Sequence, residues 1–156
     1  MDKLIADLDQ QFSRLHHESG ELLGVIEADL LYCRPPGSIL SSGEEILRSA
    51  AAVEQTFGGL TTNLWDDPFE WTLPETLSTP KKVADYLSEV EATRKRGFAL
   101  FKNDADLLKE IMAPAGMTKL QPLLLDTLRR ARHHLVNAQA TYGRLRAKDE
   151  EQSAQG

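Results

Sequence analysis

A chain of 156 residues with a net charge of −6 at pH 7 is long enough to bury roughly two thirds of its unfolded surface in one core without covalent staples. Its 24 Asp and Glu against 18 Lys and Arg argue against nucleic-acid binding, which needs clustered cations to neutralise phosphates. No apolar run approaches the roughly 20 residues of a membrane span, and a lone cysteine, Cys33, excludes an intramolecular disulfide or a paired-cysteine motif and reads as a small core residue.

The N-terminal MDKLIADLDQQF mixes charges with apolar residues and lacks the continuous hydrophobic region of a secretory signal, so a cytoplasmic location is expected. Ile5, Leu8, Phe12, Leu15, Leu22, Ile26 and Leu30 recur in steps of three, four or seven and draw one stripe down a long first helix, which Pro35, Pro36 and Gly37 end. Gly20 and Gly24 inside it suggest bending or close helix packing. A second helix opens at Ser42, whose spacing to Glu45 makes a capping box. Its inner stripe is Ile46, Ser49, Val53, Phe57, Leu60 and Leu64, with Ser49 the polar exception.

Residues 65–78 hold two prolines, acids and aromatics without helical period, and read as a long crossover loop pinned down by Phe69 and Trp71. Thr79 and Pro80 start a third helix that turns Val83, Leu87, Val90, Phe98 and Phe101 inward with Arg94 on the same stripe. A buried guanidinium there demands an acid opposite it or a route to solvent. NDADLLKEIM forms a short acidic turn before Pro114 and Gly116 break the chain. The fourth helix carries Leu124, Leu128, Ala131, Leu135, Ala138, Tyr142 and Leu145, and residues 148–156 read as a disordered polar tail. Four amphipathic segments without strand pattern predict an all-α four-helix bundle over residues 1–147. The short first link favours antiparallel neighbours. The crossover is long enough to let helices 2 and 3 run parallel.

Chemistry is limited first by histidine supply. His16 with His17, and His133 with His134, are adjacent pairs, and neighbours on a helix point about 100° apart, so each pair offers one inward ligand at most. His134 falls between Ala131 and Ala138 and can face inward, while His133 lies on a flank with Arg130 and Asn137. No GxSxG and no phosphate-binding glycine loop is present. Glu54 follows the stripe position Val53 and could reach a cavity, although a solvated face explains it as well.

The long first helix and its proline loop, Ser42, Glu45 and Leu47 as S-x-x-E-x-L, the long crossover and RARHHLVNAQ in helix 4 together make the chain resemble the DinB/YfiT-like superfamily over roughly residues 1–147. That resemblance implies a bundle with parallel second and third helices, common homodimerisation, and a cavity where one helix 2 histidine and two helix 4 histidines bind a divalent metal for thiol-dependent transferase or hydrolase chemistry. At those positions this chain has Ser49, Arg130 and His134. A guanidinium has no lone pair to donate and repels a cation. Which of His133 and His134 faces the cavity stays open.

The leading expectation is therefore a catalytically degenerate bundle, a homodimer with no cofactor, whose cavity groups Ser49, Arg130 and His134 suit a small anion. The competing packing has Arg130 turned outward and Ser49 set against a neighbouring helix. An alternative is a metal-dependent enzyme binding Zn or Ni through His134 with His16, His17 or Glu54. A third reading makes Trp65, Phe69 and Trp71 an aromatic patch for a protein partner.

Overall fold

Apolar periodicity becomes helix wherever the stripe has a partner to bury against. In the computed structural model, which describes residues 2–155 with the Phe69 side chain set aside, four long helices form: α1 (Lys3–Val25), α2 (Ser42–Thr62), α3 (Pro80–Phe98) and α4 (Leu120–Gln155). The anchoring role expected of Phe69 lies outside the described residues. Short 3-10 turns occupy Ala28–Leu30, Pro68–Glu70 and Asp104–Leu108.

α1 buries Ile5, Leu8, Phe12, Leu15 and Leu22, but stops at Val25, so Leu30 of the expected stripe sits in the following 3-10 turn. Its first amides are capped from a distance: Asp104 accepts from Leu4 N (3.2 Å) and Ile5 N (3.1 Å), while Asp104 N donates to Asp2 Oδ2 (2.8 Å). Gly20 and Gly24 have no atom within 4 Å of where a Cβ would stand, so they face an open groove and not a packed helix.

The α2 cap lies one residue earlier than its spacing predicts. Ser41 Oγ accepts from Glu44 N and Glu44 Oε1 accepts from Ser41 N, both 3.1 Å. Arg34 selects this register by clamping the Glu44 carboxylate with Nε and Nη2, each at 2.9 Å. The shift leaves Glu45 free to reach α4. α2 ends at Asn63 in the left-handed region (φ 58°), a conformation asparagine tolerates, and Leu64 beyond it is 62% exposed.

In the connection that follows, Trp65 is the anchor: its indole lies over Gly59, where a Cβ would come within 2.4 Å of three ring atoms. Trp71 is exposed. α3 begins as Thr79 and Pro80 predict, Thr79 Oγ1 accepting from Lys82 N at 3.2 Å.

Two expectations fail after α3. A hairpin, β1 (Glu110–Ala113) with β2 (Gly116–Lys119), stands where no strand is predicted. Pro114 and Ala115 form its two-residue turn and Gly116 supplies a positive φ of 114°. The polar segment expected to be a disordered tail instead continues α4 as fully exposed helix to Gln155. Cys33, expected in the core, is exposed.

α1 and α2 each pack against both α3 and α4. They therefore face each other across the core, where Phe12 and Phe57 meet at 5.3 Å edge to face, and are not the side-by-side neighbours a short link favours. Phe98 joins this cluster at 5.8 and 5.5 Å, and Gly97 admits it, since a Cβ there would lie 2.5 Å from Phe57. Contacts between α2 and α4 descend in sequence, Glu45 with His134, Ser49 with Ala131 and Thr56 with Thr127. Those between α2 and α3 ascend together, Glu54 with Tyr86 and Phe57 with Gly97. Among the described residues no helix is long and apolar enough to cross a membrane.

Candidate functional site

Where α2 crosses α4, small residues let the backbones approach, and two kinds of polar group meet. Ser49, 2% exposed, turns its hydroxyl onto the Ala131 carbonyl oxygen at 2.8 Å. Thr56 and Thr127 share a hydrogen bond at 2.6 Å two turns further along α2. Ser49 is thus spent on close helix packing. The small, partly open cavity beside it measures about 20 Å³, about the room a single water needs. Neither Arg130 nor His134 lines this cavity with Ser49.

Arg130 and His134, one turn apart on α4, instead line a separate polar pocket of about 120 Å³ between α2 and α4, with Arg48, Ala51, Ala52, Gln55 and Asp67. The α2 residue that joins them is Arg48, not Ser49. A one-residue difference on a helix is a rotation of about 100°, enough to exchange a core position for a groove position.

His134, Arg130 and Gln55 are each held by a neighbour. His134 Nδ1–H donates to Glu45 Oε2 at 2.7 Å, which leaves Nε2 as the ring's other polar atom. Arg130 Nε donates to Asp126 Oδ2 at 3.0 Å, and its side chain is 38% exposed, between the inward and outward placements weighed above. Hydrogen bonds from Arg129 and, against some burial, from Arg130 hold the Asp126 carboxyl below the usual carboxylate range. Gln55 Nε2 donates to the Trp65 carbonyl oxygen at 2.9 Å, tying the α2–α3 connection to the pocket's edge. His133 is exposed beside His134, its ring 5.5 Å away edge to face.

This donor set does not fit a divalent cation. Two guanidinium groups stand with His134, Gln55 and Asp67, and neither guanidinium can coordinate a metal. Among the described residues no group of three or more His, Cys, Asp or Glu is placed to hold a metal ion. The remaining candidates are dispersed: His16 lines the small cavity beside Ser49, His17 pairs with Glu21 at 2.8 Å on the surface, and Glu54 accepts from the Tyr86 hydroxyl. Burial, and then that bond to Glu54, push the Tyr86 hydroxyl far above the ordinary tyrosine range.

Arg94 has the acids its burial demands. At 1% exposure it donates from Nε and Nη2 to Glu91 (2.9 and 2.5 Å) and from Nη1 to Asp9 (2.6 Å), and its guanidinium carbon lies 5.2 Å from the Phe98 ring centre. Its charge is consumed by structure.

Sequence reading missed Arg48, Gln55 and Asp67. A signal for the first two exists in the run Arg48, Ala51, Ala52, Gln55, a second stripe at helical spacing with small residues between polar ends. Asp67 carries no such signal, because only the tertiary path of the connection brings it to the pocket. No protein-family model matches this chain, and no curated protein matches it.

Proposed function

We propose that this chain is a catalytically degenerate, DinB-like helical bundle that binds a small anion between α2 and α4. The observation that carries the reading is that Arg48, Arg130 and His134 line one pocket of about 120 Å³. Guanidinium N–H groups form a planar fork matched to carboxylate and phosphate oxygens, and Nε alone ties Arg130 to Asp126.

The DinB-like arrangement is supported by the ascending order of the α2–α3 contacts, as expected of two helices running in the same sense and joined by a long crossover. Homodimerisation belongs to the same proposal; sedimentation should then give twice the chain mass of 17.4 kDa.

Thermal unfolding with sulfate added at constant ionic strength tests the site. A ligand that binds only the folded state raises the melting temperature progressively, so wild type should respond and Arg130→Gln should not. An unchanged melting temperature up to about 50 mM sulfate, or stoichiometric zinc or nickel in protein purified without a histidine tag, would overturn the reading.

A further inference from the structure

Asp67 is the exception in the α2–α4 pocket, a carboxylate in a lining that otherwise offers Arg48, Arg130, His134 and the Gln55 amide. It belongs to a different part of the fold, the connection between α2 and α3, immediately before the Pro68–Glu70 turn. That connection is held in place close by, through the Gln55 to Trp65 hydrogen bond at 2.9 Å and the Trp65 indole seated on Gly59. Asp67 itself is exposed, which places its carboxylate at the pocket's edge toward solvent.

Resting on the anion-binding reading of this pocket, we propose that Asp67 is its built-in anion and a specificity-determining residue that restricts the site to dianions. A carboxylate tethered to the wall of a cationic pocket acts at an effective concentration of order millimolar or higher. A free monoanion offers the pocket no more charge than Asp67 already does and must also give up its translational freedom. A dianion draws about twice the Coulomb attraction from Arg48 and Arg130 and displaces Asp67 from them. The ligand class is a compact group with two negative charges, shared by sulfate, a phosphate monoester and a short dicarboxylate.

The full chain is titrated calorimetrically with sulfate and, separately, with acetate, at fixed low ionic strength, as wild type, Asp67→Asn, Asp67→Ser and Asp66→Asn. Asp66 lines a different groove with Thr93 and Arg96, so its neutralisation removes the same charge from the connection but not from the pocket. Wild type should bind sulfate and not acetate. Both Asp67 variants should gain acetate binding and hold sulfate on the order of tenfold tighter, while Asp66→Asn behaves as wild type. Equal gains in the Asp66 and Asp67 variants, or acetate bound by wild type as tightly as sulfate, would overturn the role of Asp67 and leave anion binding standing. Sulfate bound by none of the four would remove the anion site itself, and the role of Asp67 with it.

Discussion

Arg94 and Arg130 carry the same charged group on adjoining sides of the bundle, and their neighbours give them opposite uses. Burial alone would lower the Arg94 pKa, but the hydrogen bonds and charges of Glu91 and Asp9 outweigh it and raise the value above the ordinary one. Replacing Arg94 by Met leaves the 9%-exposed Glu91 without its counter-charge, which should cost about 3–5 kcal/mol in urea unfolding. Adding Glu91→Gln should recover part of that loss, since Asp9 is 37% exposed and can be solvated. A double variant less stable than Arg94→Met would contradict this account. The sequence shows that Arg94 interrupts an apolar stripe and therefore needs an acid; Glu91 is legible three residues away, whereas Asp9, 85 residues distant, is not. Ser49 shows the converse limit. Its polarity on the stripe is visible, but whether the hydroxyl serves a ligand or the Ala131 carbonyl depends on how closely α4 approaches.

At the scale of elements, periodicity locates the four helices, while their ends are chosen by partners far away in sequence. Ser41 and Ser42 each stand three residues before a glutamate, so both are plausible caps; the clamp from Arg34 on Glu44 selects Ser41. Burial pushes the Glu44 carboxyl up, yet the Arg34 hydrogen bond and the Ser41 amide and hydroxyl together hold it below the usual value. A carboxyl depressed in the folded state binds fewer protons there than in the unfolded chain, so its stabilisation is complete above the unfolded value of about 4.3 and is lost as pH falls toward the folded value. Denaturant unfolding should therefore show wild type more stable than Glu44→Gln at about pH 6, with the gap narrowing toward about pH 3. A gap that widens on acidification would show the sign to be wrong. The hairpin escaped notice because four-residue strands carry too little alternation to separate from a turn, and Pro114 and Gly116 suit either.

For the molecule as a whole, the long α4 is the feature most at odds with composition. Residues 148–155 have almost no apolar side chains, and every one is exposed, so this helix adds backbone hydrogen bonds without burying a core face. Short helices that lack packing are marginal in water. Removing residues 149–156 should leave the melting temperature unchanged to within about 1 °C, because no buried contact is lost; a fall of several degrees would reveal a packing role. The sequence by itself determined that the chain is predominantly helical, with four apolar stripes, a capped α3 and, on α4, His134 one turn from the cation Arg130. Those properties are local, set by side-chain period and by hydrogen bonds within one turn. Only the tertiary structure decided that Ser49 belongs to the α2–α4 packing, that Arg48 takes its place beside Arg130 and His134, and that Asp67 reaches the same pocket. Each depends on helix rotation and on the path of a connection, which are fixed by packing the stripes together and are not encoded in any one of them.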